Sequence, residues 1–123
     1  MELLFIDYDL NSLKVMKNVF ELWGYLVTIC TNSKQVKKVV NEKFFDVIVT
    51  ELNVPGAASG EIISYLKNKQ ANIPIIVLTE NHSVRSAIRA MKDGANEILQ
   101  KPIKPDRLRK MLPLKFSPAE KNF

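Results

Sequence analysis

The chain has 123 residues, of which 46% are hydrophobic and 25% are charged, and its formal net charge is +5. This length suits one domain with a single core, and the composition is ordinary for a globular protein. No apolar stretch approaches the length needed to cross a bilayer, and the start, Met1–Leu4, lacks the features of a signal peptide. We therefore expect neither a membrane span nor a secretory leader. The single cysteine, Cys30, cannot form an internal disulfide, so we expect an inert buried thiol in a cytoplasmic protein.

The positive charge is concentrated in the second half of the chain. Residues 1–80 hold eight Lys/Arg and nine Asp/Glu, whereas residues 81–123 hold ten Lys/Arg and four Asp/Glu. A solvated helical face explains this excess, and an acidic partner or nucleic acid is the alternative. We favour the solvated face, because the basic residues lack the interleaved aromatics and the helix-turn-helix pattern of nucleic-acid binders.

Short apolar runs alternate along the chain with segments of helical period. The runs are rich in Leu and β-branched residues and scarcely alternate with polar ones, as is typical of strands buried on both faces. The predicted strands are Leu3–Ile6, Leu26–Ile29, Val47–Val49, Ile75–Leu78 and Glu97–Leu99.

Apolar residues at helical spacing predict a helix after each strand. They are Leu13, Met16, Phe20 and Trp23; Val36, Val39 and Val40; Ile62, Ile63 and Leu66; Val84, Ile88 and Met91; and Leu108, Met111 and Leu112. Gly24 and Gly94 follow the first and fourth helices as stop signals. Pro105 suits the first turn of the last helix, and Pro113 is predicted to end it.

Strands separated by helices imply right-handed crossovers and a parallel sheet that is covered on both faces. Five such units predict an α/β fold of the flavodoxin-like (βα)5 type, doubly wound, with strand order 2-1-3-4-5. We expect one domain over residues 1–114 and a tail, or the start of a linker, over residues 115–123.

Polar side chains stand where four of the predicted strands end. Asp7 follows the first strand, Glu51 the third, Thr79 the fourth, and Lys101-Pro102 the fifth. The cleft of this fold lies at the carboxyl ends of the strands, around the switch between strands one and three. We therefore expect the two acids, the hydroxyl and the ammonium to meet there.

This set of strand ends resembles the receiver domain of two-component response regulators, the CheY-like family. The intervals are family-like, with 28 residues from Glu51 to Thr79 and 22 from Thr79 to Lys101. The resemblance covers residues 2 to about 112. In that family, carboxylates bind Mg²⁺, a central aspartate takes up a phosphoryl group, and a hydroxyl and a lysine bind its oxygens.

The resemblance assigns five residues to the family's acidic pocket and metal site. Glu51 replaces the phospho-accepting aspartate, and Asp7 matches the first acid of the acidic pair. Tyr8 falls where the second acid, a metal ligand, is expected. Asp9 matches the polar residue that follows and is expected to point toward the first helix. Asn53 matches the position whose backbone carbonyl binds the metal.

The remaining positions are matched in part. Thr79 corresponds to the hydroxyl that senses phosphate, and Lys101-Pro102 to the family's lysine and its cis-proline. Ile98 stands where an aromatic usually rotates inward on activation. Gly60 comes one residue later than the family's spacing, which indicates an insertion in the loop after the third strand.

These departures predict an altered pocket. The carboxylate of Glu51, one methylene longer than aspartate, should reach toward Lys101, either as a partial stand-in for a phosphorylated aspartate or as a fixed ion-pair partner. A phenol is uncharged at pH 7 and cannot replace the acid at Tyr8. We expect a metal site of Asp7, Glu51 and Asn53 to be weak or lost, no cofactor beyond a weakly held Mg²⁺, and no enzymatic activity.

The resemblance implies an atypical receiver that acts through protein contacts, as the amino-terminal regulatory part of a transcriptional regulator. A homodimer or an output domain would dock on the face of the fourth helix, fifth strand and fifth helix. The basic residues of that face are Arg85, Arg89, Lys92, Lys104, Arg107, Arg109 and Lys110.

Three alternatives remain at this point: a conventional Mg²⁺-dependent phospho-receiver, a stand-alone single-domain regulator, and direct nucleic-acid binding. A flavodoxin-like cofactor binder is set aside, because the carboxylates of Asp7 and Asp9 after the first strand would repel a flavin phosphate.

Overall fold

The computed structural model describes residues 1–80 and 83–116, with side chains as far as Leu112. Strands and helices alternate throughout this part of the chain. The strands are β1 (Glu2–Ile6), β2 (Leu26–Cys30), β3 (Val47–Thr50), β4 (Ile75–Thr79) and β5 (Glu97–Gln100). The helices are α1 (Leu10–Leu22), α2 (Ser33–Glu42), α3 (Glu61–Lys69), α4 (Val84–Asp93) and α5 (Pro105–Phe116).

The five strands form one parallel sheet in the order β2-β1-β3-β4-β5, which confirms the predicted flavodoxin-like topology. Ile6 pairs with both Cys30 and Thr50, and Thr79 pairs with Gln100. The carboxyl ends of the strands therefore lie side by side at one edge of the sheet.

Alternate residues of each strand enter two separate hydrophobic layers. Leu3 and Phe5 pack with α1 and α5, whereas Leu4 and Ile6 pack with α2, α3 and α4. Phe20 of α1 is fully buried, and its ring makes edge contacts with the rings of Phe5, Trp23 and Tyr25. Burial on both faces explains why the strands scarcely alternate in the sequence.

Cys30 is the inert thiol that the sequence predicts. Its side chain is buried in the layer beneath α2 and α3. Burial raises the pKa of this thiol to about 11, so it is protonated at neutral pH.

One prediction about the helices is wrong. Pro113 does not end the last helix, because α5 continues to Phe116. A proline inside a helix usually breaks it, because the residue lacks an N–H donor and crowds the carbonyl four residues before it, but α5 runs three residues beyond this position. The apolar residues that indicated α4, Val84, Ile88 and Met91, are largely exposed, and the small Ala90 is the residue of this helix that enters the core.

Residues 117–123, most of the predicted tail, lie outside the described residues. Within the part of the chain that is described, no helix has the length and apolar character of a membrane span.

Candidate functional site

Backbone hydrogen bonds continue the sheet just past the strand ends and hold three site residues in place. The amide of Asp7 donates to the carbonyl of Cys30 at 3.1 Å, and the amide of Glu51 donates to Ile6 at 2.9 Å. The amide of Lys101 donates to the carbonyl of Thr79 at 3.0 Å. The backbone of each residue is thus fixed by a neighbouring strand, and their side chains meet above the sheet edge.

The ammonium of Lys101 lies between two carboxylates. Its Nζ is 2.7 Å from Oδ2 of Asp7 and 2.7 Å from Oε2 of Glu51. The predicted contact between Glu51 and Lys101 is therefore confirmed. The exposed fractions of the side chains are 16% for Lys101, 10% for Asp7 and 4% for Glu51, so the charges face each other with little water between them.

The other carboxylate oxygens are held by backbone amides. Oδ1 of Asp7 accepts from the amide of Asp9 at 3.0 Å, and Oε1 of Glu51 accepts from the amide of Leu52 at 3.0 Å. Asp7 Oδ2 also accepts a hydrogen bond from Lys101, and Glu51 Oε2 lies equally close to the ammonium, at 2.7 Å. In both carboxylates, each of the two oxygens therefore has a partner that fixes the orientation of the side chain.

Electrostatics keep Lys101 charged. Burial by itself would lower the pKa of this lysine, but the hydrogen bonds and charges of Asp7 and Glu51 outweigh burial and raise the pKa above its ordinary value. Two carboxylates and one ammonium give the three residues a formal sum of −1.

Tyr8, next to the acid of β1, also approaches the lysine. Its side chain is half exposed, and the centroid of its ring lies 5.2 Å from Nζ of Lys101. This distance is within the range of a cation–π interaction. The sequence offered no signal for this contact, because residues 8 and 101 are brought together only by the tertiary fold.

Asp9 points toward α1, as predicted from the sequence, and caps this helix. Its Oδ1 accepts from the amides of Asn11 and Ser12, and its Oδ2 accepts from the hydroxyl of Ser12 at 2.9 Å. The hydrogen bonds from Ser12 lower the pKa of this carboxyl. Asp9 is therefore occupied at the start of the helix.

The structure places the other predicted residues as follows. Thr79 is buried at the end of β4, and Asn53 is exposed in the loop after β3. The Lys101–Pro102 peptide bond is cis. Ile98 is half-buried and packs against the hydrophobic layer of α2, α3 and α4. Thr50, which sequence reasoning missed, is fully buried, and its hydroxyl donates to the carbonyl of Glu51 at 2.9 Å.

The two carboxylates that could hold a Mg²⁺ ion, Asp7 and Glu51, are both paired with Lys101. Mg²⁺ takes six oxygen ligands in near-ideal octahedral geometry, of which one or two are usually carboxylates and several are waters. Here an ammonium joins the two nearby carboxylates, and Asp9 is bound to the helix start. Among the described residues, no three His, Cys, Asp or Glu side chains are grouped so that they could hold a metal.

The seven basic residues of the predicted docking face are all exposed. Arg89 lies 3.8 Å from Asp93, so part of this charge is paired within α4. The guanidinium of Arg109 lies 4.6 Å from the ring of Trp23, which engages Arg109 with α1. The exposed apolar residues of α4 recur at intervals of four and three, which places Val84, Ile88 and Met91 on one side of the helix.

Comparison with known proteins assigns this architecture to a family. The model of the family described as "response regulator receiver domain" matches residues 3–113. The transcriptional regulatory protein ZraR of Klebsiella oxytoca is 29% identical over 107 residues, which cover 87% of this chain and 24% of ZraR. The response regulator SaeR of Staphylococcus epidermidis is 28% identical over 106 residues, covering 86% of this chain and 46% of SaeR. The chain therefore spans about a quarter of the length of ZraR and just under half of that of SaeR.

Solved structures show the same fold. A CheY-like receiver domain protein from Methanospirillum hungatei superposes with a TM-score of 0.91 at 21% identity, covering 99% of this chain and 98% of that one. A response regulator protein from Burkholderia pseudomallei, solved with a phosphorylated aspartic acid, a calcium ion and citrate, gives a TM-score of 0.85 at 26% identity. That match covers 98% of this chain and 71% of the other. Because the family match takes in nearly the whole chain and the fold agrees, the chain belongs to the response regulator receiver domain family.

Proposed function

We propose that this chain is an atypical receiver domain, which signals through protein contacts without taking up a phosphoryl group. Receiver domains are in general signalling domains rather than catalysts, and they typically bind Mg²⁺ at the phosphorylation site. The observation that carries the proposal is the contact of Lys101 with both Asp7 and Glu51 at 2.7 Å. In this reading Glu51 occupies the position of the family's phospho-accepting aspartate.

Glu51 is poorly arranged to act as a nucleophile. Its Oε2 faces the Lys101 ammonium, and its Oε1 accepts from the amide of Leu52. Attack on a phosphoryl group would have to use an oxygen that is already engaged, inside a nearly closed site where both partners lower its nucleophilicity. The extra methylene also shifts the carboxylate away from the place that an aspartate would reach, and in-line transfer tolerates little misplacement.

Lys101 supplies the positive charge that a metal would otherwise bring. Its ammonium neutralises one of the two carboxylate charges, and the ring of Tyr8 lies against it where the family has a further acid. The lysine is thus engaged before any phosphoryl group arrives. The domain would need no metal, and the ion pairs would hold it in one conformation in place of an aspartyl phosphate.

Signalling would then depend on the surface of α4, β5 and α5. Val84, Ile88 and Met91 give α4 an exposed apolar stripe, and basic residues flank it. Apolar contacts surrounded by charge suit a second copy of the domain or an attached output domain. The match to 24% of ZraR, a transcriptional regulatory protein, supports the proposal that the domain is the regulatory part of a cytoplasmic transcriptional regulator.

Intact mass spectrometry tests the central step. The domain is incubated with Mg²⁺ and phosphoramidate, and we expect no gain of the mass of one phosphoryl group. The Glu51→Asp variant should remain nearly inert, whereas the double variant with Tyr8→Asp should recover uptake that requires Mg²⁺. Nucleophile and metal ligands act as a unit, so the repair of one alone restores little. Stoichiometric acyl phosphorylation of the parent domain would contradict the proposal.

A further inference from the structure

Polar side chains of α2 and α3 gather around the ring of Tyr65. The Nζ of Lys37, on α2, lies 5.2 Å from the centre of this ring, and the Nζ of Lys69, on α3, lies 5.7 Å from it. Asn41 donates from Nδ2 to the Tyr65 hydroxyl at 3.5 Å. These four residues form the Tyr65 cluster. Because both lysines approach one ring, a single short segment of a partner can contact both ammoniums.

Among the described residues, the two lysines of the Tyr65 cluster have no acidic partner in an ion pair. The ion pairs found in this part of the chain use Lys17, Lys43, Arg89 and Lys101 instead. A ring attracts a cation, but two ammoniums beside the same ring repel each other. An anionic group that contacts both lysines would offset this repulsion.

The Tyr65 cluster lies on a wider basic surface, the α2–α3 face, which consists of the cluster together with Lys34 and Lys38. These two lysines are exposed and lie one turn apart, beside Lys37, on α2. The helices α2 and α3 hold five lysines and two glutamates, whereas residues 1–80 together hold eight Lys/Arg and nine Asp/Glu. The positive charge is therefore local to this face, and the rest of the first 80 residues is acidic.

The chemistry of the α2–α3 face favours an acidic protein segment over nucleic acid. The ring of Tyr65 is partly buried against the hydrophobic layer of α2, α3 and α4, and two ammoniums approach it. Little of the ring is left for a base to stack on, and stacking is what holds single-stranded nucleic acids. Neither helix contains arginine, whose planar group suits phosphates, whereas lysine ammoniums act as point charges that single carboxylates can satisfy.

A second copy of the domain is a poor occupant of this face, because the chain carries a net charge of +5. We propose that the α2–α3 face docks an acidic segment of a partner protein, which places one carboxylate at Lys37 and another at Lys69. Asn41 uses one N–H for the Tyr65 hydroxyl and keeps a second that can donate to the segment. This contact is separate from the surface of α4, β5 and α5, and it does not depend on Lys101.

Amide NMR titration tests the face with three probes of six units each: hexaglutamate, hexaglutamine and hexathymidylate. With hexaglutamate we expect saturable shifts centred on the backbone amides of the Tyr65 cluster. Hexaglutamine has the same length without the charge, so it should bind on the order of tenfold more weakly or not at all. Hexathymidylate carries phosphates and bases, and it should also bind more weakly than hexaglutamate.

Two single substitutions test the side chains themselves. Lys37→Gln and Lys69→Gln should each weaken the binding of hexaglutamate by about two- to fivefold, as is typical of exposed charge pairs. Lys14→Gln, at an exposed lysine of α1, makes the same change in net charge and is the matched control. This control should bind hexaglutamate like the parent.

The proposal is overturned if hexaglutamate gives no saturable shifts, or if its shifts centre on α4 and α5. It is equally overturned if hexaglutamine or hexathymidylate binds as tightly as hexaglutamate, or if Lys14→Gln weakens binding as much as the two cluster variants do. None of these outcomes bears on phosphoryl uptake, so the docking face and the proposed function can fail independently.

Discussion

Lys101 supplies the one positive charge that Asp7 and Glu51 share, and both carboxylates are nearly buried. A buried ion pair contributes little net stability compared with apolar residues of the same shape, because desolvation offsets attraction. Removal of one partner is costly, since the other charges stay buried without compensation. The three residues therefore specify one arrangement of the strand ends more than they stabilise the fold.

Replacement of Lys101 by methionine should lower the free energy of unfolding at pH 7 by about 3 kcal/mol, because two carboxylates then face each other in a nearly dry site. Urea denaturation followed by circular dichroism measures this change. Lys104→Met, an exposed lysine three residues away, is the control and should be near neutral. If the Lys101→Met variant were as stable as the control, the two carboxylates would not need the charge of Lys101, and this account of the ion pairs would be wrong.

The difference in unfolding free energy between the parent and Lys101→Met should become smaller at alkaline pH. The pKa of Lys101 is raised in the folded state above the ordinary 10.5. The advantage of the parent over Lys101→Met is therefore fully present below that value, and it is lost as the pH rises through the folded-state pKa. An advantage that grew with pH in this window would contradict the assigned cause.

At the scale of elements, Gly94 tests how α3 and α4 are placed. Gly94 ends α4 with φ of +122°, and an added Cβ would collide with the side chain of Lys67. Lys67 is tethered by donating to the carbonyl of Ile73, so it cannot easily withdraw. Gly24, after α1, has φ of +94° with nothing within 4 Å of an added Cβ. A substitution at Gly24 therefore measures the free-energy cost of a Cβ in this backbone conformation without any steric collision.

Gly24→Ala should therefore lose about 1 kcal/mol of unfolding free energy, because a residue with a Cβ is strained in a left-handed backbone conformation. Gly94→Ala should lose more, by about 1 kcal/mol or above, because the steric cost adds to the backbone cost. Thermal and urea unfolding of the two variants give the difference. Equal losses would show that Lys67 yields freely.

The sequence predicts the strands well and their ends less well. Four of the five strands, all but β1, run one residue further at the carboxyl end than predicted, because polar residues such as Thr50 and Gln100 end the apolar pattern before the ladder ends. The spacing of the apolar residues in α4 correctly predicts a helix, but spacing alone does not show whether those residues are buried against the core or exposed to solvent. For the same reason Tyr8 gives no sequence signal of its contact with Lys101, which depends on long-range placement.

At the scale of the whole molecule, the exposed stripe of Val84, Ile88 and Met91 lies within the basic second half of the chain. If this surface mediates self-association, Ile88→Lys should abolish the dimer, since it places a charge in the apolar contact among Arg85, Arg89 and Lys92. The variant should keep its stability within about 0.5 kcal/mol, because the site is exposed.

Sedimentation velocity over a concentration series measures this effect. Val15→Lys, an equally exposed apolar position on α1, is the matched control and should associate like the parent. If both variants lost association, or if neither did, the result would contradict a contact that is specific to α4.

The state of the Lys101 ammonium tests the central claim most directly, because the whole proposal depends on a lysine that is already paired. Nitrogen-15 NMR of lysine ammonium groups can follow Nζ of Lys101 in the intact domain, with Glu51→Gln as the variant that removes one partner. We predict one slowly exchanging, fully protonated signal, which Mg²⁺ does not shift and which Glu51→Gln moves toward the position of the exposed lysines. A Lys101 signal that exchanges as fast as an exposed lysine, or that shifts saturably with Mg²⁺, would contradict the claim.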